Sequence, residues 1–171
     1  MFGREVEHAF FEATRGALAA RGYEAYEISN FALPGHRCDH NVNYWRNGEY
    51  VGLGPSAASL VAGERSGNVR SVGGYLRRIA ERGEAGAWRE ALPPLARLGE
   101  TWWLGLRLAE GLSPAEARVR ARYFEEGDPL LAIAEHALAE GVLAREGERY
   151  RLSPRGVPLA DWVARRFLAA G

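Results

Sequence analysis

A single cysteine, Cys38, stands in a chain of 171 residues, and it removes several classes of fold and site at once. No internal disulfide can form, no four-cysteine zinc site exists, and a cubane iron–sulfur cluster cannot be held by three or four of this chain's own thiolates. The fold must rest on buried apolar surface, and a chain of this length can bury a sizeable core unaided. Its 47% hydrophobic and 26% charged residues are the balance of a soluble globular protein, neither disordered nor collagen-like.

The 22 basic residues, all arginine, meet 22 acidic ones, with 11 against 11 on each side of Pro94, so neither half is a polyanion binder by net charge. Arginine used to the exclusion of lysine fits a GC-rich coding bias, and equally the ion-pair networks of a thermophile. No run of about 18 apolar residues occurs, and MFGREVEHAF is charged from Arg4 onward, so neither a membrane span nor a signal peptide is expected. The expected compartment is the cytoplasm, which suits a lone unpaired thiol.

From Arg4 to Arg21, Val6, Phe10, Ala13 and Ala17 recur at helical spacing, and Gly22 sits where a left-handed cap ends a helix. Tyr23 to Ile28 reads as a strand closed by Ser29-Asn30, so the start of the chain is expected to be the tail of a parallel sheet. Phe31 to Gly48, without a period, reads as a loop. Tyr50 to Leu53 reads as a strand, Leu60 to Val69 as a hairpin turning at Gly63 to Gly67, and Val72 to Arg82 as a short helix. Gly83 to Pro94, with Pro93-Pro94, reads as a linker.

Beyond it the pattern turns to short helices. Leu95 to Ala109 carries Leu98, Trp102 and Leu106 on one face, and Ser113-Pro114-Ala115-Glu116 is a capping box with proline at the first helical position. Asp128-Pro129 opens another helix, apolar at Leu130, Ile133, Ala134, Ala137 and Leu138 and capped by Gly141. Val142 to Leu152 alternates around Glu146-Gly147 as a hairpin, and Ser153-Pro154 starts a final helix with Leu159, Val163 and Phe167 inside. Three helices, a hairpin and a closing helix are the order of a winged-helix domain. The helix that would enter a major groove carries Asp128, Glu135 and Glu140 and no arginine, and Arg145, Arg149 and Arg151 alternate with Glu146 and Glu148 in the wing, so a nucleic-acid partner is not expected.

Two segments hold chemistry. Gly52-x-Gly54 with Ser56 and Ser59 is either a phosphate cradle or a tight strand-to-helix turn capped by Ser56. Cys38-Asp39-His40-Asn41-Val42-Asn43-Tyr44-Trp45 offers His40 as a ligand for a metal or haem iron, Cys38 as a second ligand, and Tyr44 and Trp45 as flat apolar surface. The alternative is a loop whose His and Asn bond backbone groups while its aromatics anchor it to a core.

Tyr26-Glu27-Ile28-Ser29-Asn30-Phe31-Ala32, then Pro34-Gly35, Cys38, His40-Asn41-x-x-Tyr44-Trp45 and Gly52-x-Gly54-x-Ser56-Ala57-x-Ser59 resemble the C-terminal half of radical SAM proteins related to oxygen-independent coproporphyrinogen III oxidase. The tail from Glu100, with Leu104-Gly105-Leu106-Arg107 and Gly111-Leu112, is similar to the small C-terminal domain of that family. Within it, His-Asn-x-x-Tyr-Trp resembles the HemW branch of haem chaperones, whereas the oxidases usually carry Arg-Asn-Phe-x-Gly-Tyr. The resemblance implies haem contact through His40. It departs at Ala58, where the family commonly has histidine, and in lacking the Cys-x-x-x-Cys-x-x-Cys motif that holds the [4Fe–4S] cluster which cleaves S-adenosylmethionine.

The expected fold is α/β plus α+β: the tail of an incomplete radical SAM-type α/β barrel over residues 1–83, a linker over 84–94, and a winged-helix-like domain over 95–171. The expected function is haem or porphyrin handling, with His40, Asn41, Tyr44, Trp45, Gly52 and Gly54 as ligand-contacting residues and His40 as candidate iron ligand. No autonomous radical SAM chemistry is expected, the cluster and S-adenosylmethionine belonging to the missing N-terminal part of the family fold. A separate N-terminal half is expected to pair with the open sheet edge at Tyr23 to Ile28, or else that edge drives self-association. The alternatives are a subunit of an oxygen-independent coproporphyrinogen III oxidase, which needs a cluster-bearing partner, and a non-catalytic interaction module, which would not respond to porphyrin.

Overall fold

A computed structural model describes residues 4–170. Helix α1 (Arg4–Ala19) follows the expected apolar spacing and ends through Gly22 at φ 82°, yet its stripe faces outward, with Val6 41% and Phe10 65% exposed. The expected strand shrinks to β1 (Glu24–Ala25), which pairs antiparallel with β2 (Phe31–Ala32). Ser29-Asn30 makes a turn because the buried Glu27 carboxylate accepts both the Ser29 N–H, at 2.8 Å, and the Asn30 side-chain amide, at 2.7 Å. The edge is not open as expected: the Ala109 N–H donates to the Tyr26 carbonyl at 3.0 Å and Glu27 bridges Leu108. No parallel strand pair and no closed barrel exist among the described residues.

The segment read as a loop contains α2 (Asp39–Trp45). Seven residues are too few to display a period, and tertiary contact with a later helix supports them. The strand at Tyr50–Leu53 reduces to one bridge, Tyr50 to Leu60. The hairpin forms as β3 (Ala58–Val61) and β4 (Glu64–Asn68), but it turns at Ala62-Gly63 rather than over Gly63 to Gly67, because φ 55° and 80° there supply the positive pair that a two-residue loop demands, and Gly67 lies within β4. Helix α3 spans Val72–Arg82, with the Ser71 hydroxyl accepting the Gly74 N–H and Gly83 at φ 74° closing it. The expected linker is instead β5 (Gly86–Ala91), which completes the sheet β3-β4-β5 with Trp88 lying across Gly67, where any Cβ would collide with the indole. Composition misled here, since Gly and Ala permit close strand approach as readily as flexibility.

The remaining elements run α4 (Pro94–Arg107), α5 (Pro114–Ala121), α6 (Leu131–Ala139), β6 (Leu143–Glu146), β7 (Arg149–Leu152), a 3₁₀ turn at Val157–Leu159 and α7 (Ala160–Leu168). The core lies here. Leu98, Trp102 and Leu106 of α4 are buried as expected; Trp102 stacks on Phe167 at 5.3 Å, meets Tyr150 edge-on at 5.7 Å, and donates its indole N–H to Asp128 at 2.9 Å. Gly99 lets α4 approach the α7 backbone, because a Cβ there would strike the Phe167 carbonyl. Leu159, expected inside, is 40% exposed because the final α-helix begins one residue after it, while Val163 and Phe167 are buried.

The capping box of α5 is formed, and Arg149 from the hairpin donates to both Glu116 oxygens at 2.8 Å. Burial pushes the Glu116 carboxyl up, but the Arg149 hydrogen bond, the Ser113 N–H and nearby arginines outweigh it, leaving the carboxyl below its ordinary value. Glu110 is lowered by the same balance, burial opposed by Arg46, Arg37 and Arg149. Depressed folded-state values contribute stability above the ordinary carboxyl value of 4.5, and that stability is lost as pH falls through the folded values. Urea midpoints are therefore expected to hold steady from neutral pH to about 5 and to fall below that. Glu116→Gln, which keeps a capping acceptor but loses the charge, should cost about 1 kcal/mol at pH 7 and converge with the parent in acid.

Candidate functional site

Cys38, extended, precedes α2, and Asp39 occupies its first turn, where a carboxylate meets the helix dipole. Residues four apart share a helix face, so the motif divides into two pairs. His40 and Tyr44 form one: His40 is exposed and its ring meets Tyr44 edge-on at 4.8 Å and 84°. Tyr44 in turn meets Tyr50 at 4.5 Å. Asn41 and Trp45 form the other and face the protein. The Asn41 amide donates to the Tyr26 hydroxyl at 3.1 Å, and the Arg107 guanidinium lies 4.5 Å over the Trp45 ring. Tyr44 and Trp45, adjacent and therefore about 100° apart around the helix, do not make one flat platform.

Cys38 and His40 are both exposed at the start of α2, and no group of three or more His, Cys, Asp or Glu arranged for a metal ion exists among the described residues. The Gly52-Gly54 turn leads into strand β3, so no helix starts after Ser56. The turn also uses its polar groups inwardly: the Gly52 N–H donates to the Ser59 hydroxyl at 2.9 Å, and Asn68 donates to the Gly54 carbonyl at 2.9 Å. Gly52 packs so tightly that a Cβ would run into the Ala58 carbonyl, whereas Gly54, at φ 102°, has open space beside it.

A second feature escaped the sequence reading. After α2, Asn47 at φ 52° donates to the Thr101 hydroxyl at 3.0 Å, carrying the chain under α4. Between this turn, the sheet, α4 and α5 lies a cleft of about 240 Å³ walled by Arg46, Arg65, Arg97, Arg120 and Arg122 together with Glu49, Glu90 and Glu100. Arg65 pairs with Glu100, and that hydrogen bond raises the guanidinium's affinity for its proton against the cost of burial. Arg122 pairs with Glu49 at 2.8 Å. Burial lowers Arg120, and Arg46 and Arg149 nearby add to the effect while Glu116 opposes it. Tyr50 is raised, first by burial and then by Tyr44. Dispersed through the chain, these arginines leave no local signature in sequence; only the fold gathers them.

Gly52→Ala is expected to lower stability by on the order of 2 kcal/mol, seen as a fall of several degrees in the melting midpoint. Gly67→Ala should behave likewise. Unchanged melting would overturn the close-approach account of both positions.

No protein-family model matches the chain. It is 35% identical over 158 residues to the haem chaperone HemW of Mycobacterium tuberculosis strain H37Rv, covering 92% of this chain and 38% of that protein. It is 32% identical over 166 residues to HemW of Bacillus subtilis, covering 96% and 43%. The chain thus spans about two fifths of the curated relatives it matches, the 38% and 43% lying in their C-terminal part. Among solved structures, the radical SAM enzyme coproporphyrinogen III oxidase HemN of Escherichia coli superposes with a TM-score of 0.72 at 16% identity, over 97% of this chain and 42% of that one. The chain is a homologue of the C-terminal part of the HemW haem chaperones, folded as is the corresponding part of the coproporphyrinogen oxidase.

Proposed function

We propose that this chain handles haem as cargo, with His40 as the side chain that meets the iron. The observation that carries this reading is the exposed His40 ring on the first turn of α2, supported from beneath by Tyr44. An imidazole nitrogen is a common axial ligand of haem iron, and a ring steadied by an edge contact loses little freedom on ligation. Asn41 and Trp45 are positioning residues, holding α2 to Tyr26 and Arg107 so that His40 faces outward. Gly52 and Gly54 shape the adjoining turn. One thiol does not fit a [4Fe–4S] cluster, so radical chemistry on S-adenosylmethionine would require thiolates from outside these 171 residues.

On this reading α4 to α7 form a winged-helix-like unit that docks protein, and the elements before it are the tail of a barrel. The outward apolar stripes of α1 and of α3, where Val72 is 63%, Leu76 61% and Ile79 40% exposed, support contact with the remainder of a HemW-length protein or with a second copy. The site of action is the cytoplasm, where an exposed thiol stays reduced; no helix among the described residues is long and apolar enough to cross a membrane.

Titration with haem, followed in the Soret band, is expected to give a saturable, near-stoichiometric shift that weakens at least tenfold in His40→Ala and persists in Cys38→Ser. A shift indifferent to His40 overturns the assignment. In sedimentation, the purified chain is expected to associate and Leu76→Glu to disperse it; a monomer at all concentrations removes self-association from the reading.

A further inference from the structure

The arginine-lined cleft holds more positive charge than its carboxylates answer. Glu100 is committed to Arg65 and Glu49 to Arg122. Arg46 and Arg37 share Glu110, at 2.9 and 3.3 Å. Arg149 takes both oxygens of Glu116, which leaves Arg120 with a contact of 3.6 Å to that carboxylate. The Arg120 Nη1 atom is buried and has no hydrogen-bond partner, and Arg97 donates only to the main-chain carbonyls of Ala121 and Arg122. A buried guanidinium nitrogen without an acceptor is costly, and a ligand carboxylate matches its planar fork.

The cleft also has a direction. Tyr50 bridges Leu60, Leu60 pairs with Arg65, and Arg65 pairs with Glu90, so these four side chains share one face of the sheet. Three of them wall the cleft. Tyr50 extends the row toward Tyr44 and His40, the rings meeting edge to face. At about 240 Å³ the cleft is smaller than the pockets of roughly 300–1,000 Å³ that enclose whole drug-sized ligands. It suits the acidic arms of a larger molecule whose body lies outside.

We infer that this cleft receives the propionate carboxylates of the tetrapyrrole whose iron His40 meets, with Arg120 and Arg46 as the donors; the inference rests on the haem-handling reading. Arg46 shares Glu110 with Arg37 and is half exposed, which leaves it donor capacity for a ligand, whereas Arg97 and Arg65 hold the cleft open through their own protein acceptors.

The test uses the whole chain and two metal-free probes, a dicarboxylate porphyrin and its dimethyl ester, followed by porphyrin fluorescence. The acid is expected to bind at least tenfold more tightly than the ester, and the gap to close in Arg120→Gln and in Arg46→Gln. Added salt should weaken the acid and leave the ester unchanged, a readout that needs no substitution. Equal binding of acid and ester, binding of neither, or a gap that survives both substitutions overturns the inference. Failure of the haem reading registers separately: a haem Soret shift that ignores His40 while acid and ester still differ removes the iron ligand and leaves the carboxylate cleft standing.

Discussion

Helix α4 is the constraint on which both ends of the molecule depend, because it is committed on two faces at once. Leu98, Trp102 and Leu106 form the floor of the C-terminal core, where the Trp102 indole is fixed by Phe167, Tyr150 and Asp128. Glu100, Thr101 and Arg107, on the same helix, hold Arg65 of the sheet, Asn47 of the turn after α2, and the Trp45 ring. A helix with an apolar face and a partnered polar face cannot rotate to suit one neighbour without breaking contact with the other. The position of the His-Asn-x-x-Tyr-Trp segment is thereby tied to the packing of a core it does not enter.

The C-terminal elements were legible in sequence because each carries its own punctuation: Ser113-Pro114-x-Glu116 for α5, Gly141 after α6, and Gly147 in the hairpin. The first half was less so, for identifiable reasons. Val6 and Phe10 repeat correctly but face outward, since periodicity reports that an apolar face exists and does not report what lies against it. Tyr23 to Ile28 has strand composition, yet the Glu27 carboxylate gathers the amides of Ser29 and Asn30 and bends the chain back within a few residues. Trp88 between alanines and glycines reads as punctuation until Gly67 is found beneath it.

The candidate site divides in the same way. The motif drew these residues together, and the helical geometry that separates His40 and Tyr44 from Asn41 and Trp45 becomes visible only with α2 as a helix. The cleft was invisible because net charge is a sum. Equal totals of basic and acidic residues conceal an arrangement in which some carboxylates serve two guanidinium groups and others are spent on pinning hairpins.

Strand β5 carries a consequence for how the two parts of the chain communicate. It is hydrogen-bonded to β4 along its length and passes within three residues into α4 through Pro93, whose extended backbone (φ −54°, ψ 151°) is stiff. The junction therefore behaves as a rigid coupling, so a tilt of the sheet is transmitted to α4 without a slack segment to absorb it. Cutting the chain ahead of β5, after Gly83, would strip β4 of its outer neighbour and leave bare backbone donors and acceptors, a template for aggregation.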